Sequence, residues 1–283
     1  MSLLERIRAC NAHDLSRFLP FVIGGIRVGW VRPAFARRLA RFPRVFEVGE
    51  RGVALAPGLD GFAARTEAVA EVVAALAAEG VIVGLRDEPY PVTTAFTAPP
   101  LLQIERAAVP HFGLRAFGIH VNGLVRGRGG LALWIARRAA DKPTYPGMLD
   151  NFVAGGQPVG LSLGDNLVKE AAEEAGVPAE IARRAVPVGA TGYVMEVAAG
   201  LKPDVQFVYD LELPPDFTPE NRDGEIAEFM LWPVKKVRAV TAETTEFKPN
   251  CDLVNIDFFL RHGVVTPDDP DYLALVFGLH QSP

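Results

Sequence analysis

The chain has 283 residues, half of them apolar, with 29 Lys or Arg against 34 Asp or Glu and a net charge of −5. That balance describes a globular chain rather than a disordered one, and its lack of a concentrated basic face argues against a nucleic-acid binder. No apolar stretch is long and clean enough to span a bilayer, so no membrane association is expected. Glu5, Arg6 and Arg8 interrupt any signal-peptide run at the start. Cys10 and Cys251 are too few for a disulfide framework or a zinc site, which makes a reducing cytoplasm the simplest compartment.

Charge divides the chain in two. Residues 1–115 hold 14 Arg, no Lys and 11 acidic residues, whereas residues 116–283 hold 15 basic and 23 acidic residues. The expected organisation is an N-terminal α+β accessory domain over 1–115 and a second, acidic domain over 116–283. In the first, the spacing predicts a helix over Leu3–Phe18, a strand over Gly25–Arg32, and a short helix opened by Pro33. A hairpin over Phe46–Ala56 and an amphipathic helix over Phe62–Ala78, stopped by Gly80, follow. Val81–Thr94 reads as strand and loop.

In the second domain, strands are expected at Phe117–Val125, Leu131–Arg137, Val186–Glu196, Gln206–Leu213 and Phe229–Val234. A closing helix over Asn250–Arg261 takes Asn250 as its N-cap. Strands and helices mix without regular alternation, which excludes a Rossmann or barrel reading.

The segment "GGQPVGLSLGDNLVKEAAEEAG", Gly155–Gly176, carries the chemistry. Ser162 and Asp165 resemble a capping box, and Gly176 stands where a helix stops. On a helical wheel Leu167, Val168, Ala171, Ala172 and Ala175 share one arc, with Lys169, Glu170, Glu173 and Glu174 opposite. Exposed helices often carry acidic faces, at about 0.2–0.5 kcal/mol per like-charged pair. The preceding glycines tip the reading, because such a loop brings backbone close to a ligand. Clustered carboxylates beneath it suit Mg²⁺, which shares its sites with substrate phosphates.

The spacing of Gly155, Leu161, Lys169, Glu170, Ala171, Glu173, Glu174, Gly176 and Val177 resembles the signature of the Nudix (MutT-like) hydrolases. There are two departures: Lys169 stands for the usual arginine and Leu161 for the first glutamate. Further stretches, "FGIHVNGLV", "YPGMLDNFVAGG", "DGEIAEFMLWPV" and "FKPNCDLVNIDFFLRHG", resemble a subgroup with an extra N-terminal domain. That subgroup is similar to the Nudix portion of fungal thiamine pyrophosphokinase fusions.

The resemblance implies an α/β fold, a Nudix α/β/α sandwich with a mixed sheet. It implies metal-dependent hydrolysis of a diphosphate linkage, with thiamine diphosphate analogues, particularly oxidised or damaged forms, going to monophosphates. Glu170, Glu173 and Glu174 would hold Mg²⁺ or Mn²⁺, and Glu225 would add a ligand or the base. Glu228 reads as a solvated strand residue. Lys169 would steady the glutamates, less well than a bidentate arginine.

Gly155 and Gly156 would line the pocket, while Tyr145 and Phe152 either stack on a substrate ring or pack in the core. His120 reads as a hydrogen-bonded structural residue and Arg37, Arg38 and Arg41 as a solvated face. Lys248, Asn250 and Cys251 sit at a helix start, where anions can bind, and capping and burial explain them equally well. The first domain either covers the pocket and selects the non-phosphate end of the substrate or makes a homodimer. A non-catalytic sensor binding a nucleotide or coenzyme diphosphate through a degenerate box is the alternative reading, supported by Leu161.

Overall fold

The computed structural model describes residues 2–282. Helix α1 (Leu3–Cys10) is shorter than the expected Leu3–Phe18. Ser2 and Glu5 form a reciprocal capping box at its start, which satisfies otherwise orphaned amides. It ends where Asn11 donates its side-chain amide to the Ile7 carbonyl (2.9 Å) and accepts the Val194 N–H (2.9 Å). Beyond it only a single 3-10 turn, Leu15–Arg17, forms.

A four-stranded sheet follows, built from β1 (Leu19–Ile23), β2 (Ile26–Val31), β3 (Phe46–Gly49) and β4 (Gly52–Leu55), in the order β2-β1-β4-β3. The β1–β2 hairpin turns through Gly24 and Gly25, at φ of 57° and 81°, a conformation glycine adopts without strain. Pro20 interrupts the alternation of β1, so that strand is absent from the sequence expectation. Helix α2 (Pro33–Leu39) starts with proline in its first turn, as expected. Helix α3 (Gly61–Ala78) buries Val69, Val72, Val73 and Leu76. They join a core with Phe21, Phe35, Phe46 and Phe112, whose rings lie 5.2–6.1 Å apart. The pair β5 (Pro89–Val92) and β6 (Leu102–Glu105) and the short α4 (Val109–Phe112) complete this unit.

The second sheet contains β7 (Phe117–Gly127), β8 (Gly130–Arg138), β9 (Leu149–Asp150), β10 (Val153–Gly156), β11 (Val186–Val197), β12 (Gly200–Glu212) and β13 (Ile226–Pro233). Its order is β11-β12-β7-β8-β13, with β10 on β7 and β9 on β8. β12 runs parallel to β7, and the other pairs are antiparallel. One face packs α5 (Leu163–Ala175) and α6 (Ala179–Ala182) over Ile119, Val121 and Leu211. The other packs α7 (Val234–Glu243), α8 (Pro249–Arg261) and α9 (Tyr272–Gly278) over Leu124, Leu133 and Ile135. Leu3, Ile7 and Cys10 of α1 share that core. The result is the expected α/β/α sandwich with a mixed sheet, beside a smaller α+β unit.

Two helix starts differ from expectation. α7 follows β13 directly, behind Pro233, where the apolar run "FMLWPV" reads as strand alone. α8 takes Lys248 as its N-cap with Pro249 in the first turn, because proline's fixed φ suits that position; Asn250 lies inside the helix.

Arg6 anchors α1 beneath α8. Its Nε donates to the Thr241 carbonyl (2.9 Å) and lies 4.0 Å from the Asp252 carboxylate. Burial pushes the Asp252 carboxyl up from 3.8 to about 8, with Arg6 opposing the shift. A raised folded-state pKa gives stability that is full below pH 3.8 and is lost as pH rises through about 8. Asp252→Asn, which stays neutral, is therefore expected to gain in thermal midpoint over the parent between pH 4 and 8. The gain should level off above that, at a few kcal/mol. A pH-independent difference in melting scans would contradict this.

Candidate active site

The strand β10 delivers Gly155 and Gly156 opposite Ile119 and Gly118 of β7. The chain then loops to Ser162, which caps α5 by accepting the Asp165 N–H (3.1 Å). Gly176 ends the helix at φ 63°. Sequence pattern and structure agree on the cap and the stop of this helix.

The loop is braced by side chains the sequence reading passes over. Asn166, wholly buried, donates to the Gly156 carbonyl (2.8 Å) and to Gln157 Oε1 (3.1 Å). Gln157 in turn donates to the Leu161 carbonyl (2.7 Å). Leu161 itself is exposed, so amide side chains brace the loop where the motif normally carries a glutamate.

The helix glutamates differ sharply in setting. Glu173 is exposed and Glu170 half-buried, whereas Glu174 is buried. This corrects the expected arc. Glu174 lies two turns after Leu167, in the buried stripe, and accepts the Ala154 N–H of β10 (2.9 Å). Lys169 donates to Glu173 (2.8 Å) and Glu170 (3.1 Å). Although burial opposes its charge, these partners raise its pKa. Glu170 lies against Gly155, where a Cβ would meet its carboxyl carbon at 2.5 Å.

Burial raises the Glu170 pKa, with Lys169 opposing and Glu173 and Glu88 adding to the rise. Burial also lifts Glu174 well above the carboxylate range, against the Ala154 hydrogen bond and with Asp150, Glu170 and Glu225 reinforcing the rise. Desolvated like charges of this kind are relieved by a cation. All-oxygen donors suit a hard one, so the residues fit Mg²⁺ or Mn²⁺.

Glu225 lies in the mouth of a cleft of about 380 Å³, lined also by Gly84, Arg86, Lys142 and Asp223. Its Oε2 pairs with Lys142. Burial opposes ionisation there, but Lys142, Arg86 and Arg138 hold the carboxyl below its usual value. Tyr145 is a half-buried loop residue at φ 51° whose carbonyl accepts from Arg138 (3.1 Å). Phe152 takes the core alternative: it is fully buried, 5.9 Å from the Phe229 ring, and touches no solvent. Glu228 is exposed beside Arg137 (3.7 Å).

Residues of the first unit pack against the glycine loop. Tyr90 presses its hydroxyl on Gly156, 1.5 Å from where a Cβ would lie. Arg106 pairs with Glu88 (2.7 Å) and lies over the Tyr90 ring. The Val159 N–H donates to the Pro89 carbonyl (3.0 Å), tying β5 to the glycine loop.

Behind Glu174, Asp150 accepts from Lys248 (2.7 Å), Arg138 (3.0 Å), the Cys251 thiol (2.8 Å) and the Asn151 N–H (3.0 Å). Burial resists its charge, but Lys248, His120 and Arg138 hold its carboxyl far below the usual range. His120 bonds Asn151 (2.7 Å) and Gln206 (2.6 Å), and burial pushes its pKa down to about 4. His120, Asp150 and Cys251 bring ligand-type atoms within 4.8 Å. Two half-buried cations, Lys248 and Arg138, already occupy Asp150, so the cluster serves as a structural lock between β9 and α8. Arg38 and Arg41 pair with Glu79 on the surface (3.8 and 2.8 Å).

The fold is an α/β/α sandwich that carries Glu170, Glu173 and Glu174 on one helix beside β10, oxygen donors of a kind that suits a divalent cation. The chain is 45% identical over 283 residues to "Nudix hydrolase 20, chloroplastic" of Arabidopsis thaliana, covering 96% of this chain and 75% of that protein. It is 46% identical over 276 residues to "Nudix hydrolase 24, chloroplastic" of the same plant, covering 96% and 76%. A family model described as a domain of unknown function, DUF4743, matches residues 2–116. Among solved structures, a MutT protein from Methanosarcina mazei Go1 is 16% identical, with a TM-score of 0.40 over 54% of this chain and 96% of that one. The chain belongs to the Nudix hydrolase family. It is a hydrolase acting on diphosphate linkages.

Among the described residues, no helix is long and apolar enough to cross a membrane.

Proposed function

We propose that the chain hydrolyses thiamine diphosphate analogues, particularly oxidised or damaged forms, to the monophosphate, using Mg²⁺ or Mn²⁺. The observation that supports it most is the placement of Glu174, drawn under β10 into a desolvated cluster with Glu170. Glu170, Glu173 and Glu174 would hold the ion. Bound there, it would polarise the phosphate and lower the pKa of water. Lys169 keeps Glu170 and Glu173 together, and the Ala154 N–H fixes Glu174.

Lys142 holds one oxygen of Glu225 and leaves Oε1 to take a proton from the attacking water, while the site also offers Glu225 as a further ligand. Water oxygen bonds to one phosphorus, and the bridging oxygen leaves with the other phosphate. Gly155 and Gly156, having no side chains, make room for Glu170 and Tyr90 beside the substrate, and Tyr145 would offer a ring to stack on it. Residues 1–115 serve as an accessory domain that walls the site. The two buried free cysteines, Cys10 and Cys251, support a reducing compartment, which we take as cytoplasmic; the plant relatives are named chloroplastic. Thiamine rests on the subgroup motifs.

The experiment is Mg²⁺- and Mn²⁺-dependent turnover of thiamine diphosphate, oxythiamine diphosphate, ADP-ribose and dinucleotides. We expect kcat/KM for the thiamine class to exceed the others by at least roughly tenfold, a difference of about 1.4 kcal/mol in transition-state binding. Faster turnover of ADP-ribose or a dinucleotide would overturn the assignment.

A further inference from the structure

We propose that Arg86, carried by the N-terminal unit, binds the terminal phosphate of the substrate and so selects diphosphates whose outer phosphate is unesterified. The inference rests on the hydrolase reading above and names its substrate class. Gly84, Leu85 and Arg86 line the cleft, and Glu88 follows two residues on. At one end Arg86 lines the cleft with Lys142 and Glu225; at the other Glu88 pairs with Arg106 over Tyr90, against Gly156.

The segment is held in place rather than loose. Glu105 accepts the Arg86 N–H (2.9 Å) and the Glu88 N–H (3.3 Å), and Asp87 stands at φ 56° between them. Among the described residues the Arg86 side chain makes no ion pair, whereas Lys142 is committed to Glu225. Arg86 is thus the cleft cation that makes no ion pair, although its charge reaches Glu225. A guanidinium grips two phosphate oxygens in a planar fork. An unesterified terminal phosphate offers three oxygens and up to two charges, whereas one esterified on both sides offers two oxygens and one charge.

The cleft lining also includes Asp141 and Asp223. Asp223 accepts the Glu225 N–H (2.8 Å). With Glu225 the lining has three carboxylates against two cations. One excess negative charge favours an anion arriving with its divalent cation over the free anion.

The test compares the full chain with Arg86→Gln and Arg86→Lys. Steady-state kinetics would use thiamine diphosphate and ADP-ribose with Mg²⁺. Calorimetry would follow Mg²⁺-methylene diphosphonate, whose carbon bridge resists hydrolysis. Arg86→Gln is expected to raise KM for thiamine diphosphate about tenfold, the size of one charge-assisted contact, with kcat changed by no more than about threefold. KM for ADP-ribose should change little, diphosphonate binding should weaken in parallel, and Arg86→Lys should recover part of the loss. Unchanged diphosphonate affinity, or an equal loss for both substrates, would overturn the proposal. Weakened diphosphonate binding with no turnover by the parent would sink the hydrolase reading and leave the Arg86 assignment standing. Turnover with unaltered KM in Arg86→Gln would do the reverse.

Discussion

Glu174→Gln is expected to lower metal-dependent turnover about a thousandfold, or ~4 kcal/mol of transition-state stabilisation. Glutamine keeps an oxygen for the Ala154 N–H, 2.9 Å away in the parent, so folding is spared. What is lost is a negative donor in a cluster where Glu170 lies nearby and burial strengthens every charge interaction. Single-turnover rates beside a thermal midpoint within a few degrees would separate chemistry from unfolding. A variant that retains a tenth of the parent rate would remove Glu174 from the site, since ~1.4 kcal/mol is too little for a ligand so enclosed.

Gly155→Ala is the second large expectation. Its Cβ would stand 2.5 Å from Cγ and Cδ of Glu170, so the carboxylate must shift. A misplacement near 1 Å costs roughly a hundredfold in rate. Steric crowding in a packed site adds about 1–3 kcal/mol of destabilisation. The rate should therefore fall far more than the melting temperature, and excess Mn²⁺ should recover part of it by drawing Glu170 back. A parent-like rate would show that the Glu170 position is irrelevant to turnover.

Much of this site is written in the local pattern. The glycine pair, the Ser162 cap, the Gly176 stop and the three glutamates lie within one strand–loop–helix unit, and local rules govern such units. For Glu174 the expected arc fails although the spacing is local, since seven residues separate it from Leu167. Its periodicity places it in the buried stripe with Leu167 and Ala171. A carboxylate there is tolerable only because β10 turns the Ala154 N–H toward it, a helix-to-strand contact between residues 20 apart in sequence.

Phe152 shows the same limit. An aromatic beside a motif reads equally as a stacking platform or as core, and only the fold puts it against Gly123, with its ring 2.5 Å from where a Cβ would lie. Arg86, Glu88, Tyr90 and Arg106 belong to a distant part of the chain, and docking of β5 on the glycine loop brings them to the site. In the fold, Pro20 concealed β1 and the strand-like run before Pro233 concealed α7. Both are cases in which the neighbouring residues carry a competing signal.

The central claim is that the helix carboxylates hold the ion that activates the substrate. The most direct measurement is Mn²⁺ titration, with bound metal read by calorimetry and turnover of a diphosphate read on the same samples, for the parent and Glu174→Gln. Turnover in the parent is expected to rise along the binding isotherm, and Glu174→Gln to lose both together. Tight Mn²⁺ binding that Glu174→Gln leaves unchanged, or full turnover in the presence of chelator, would contradict it.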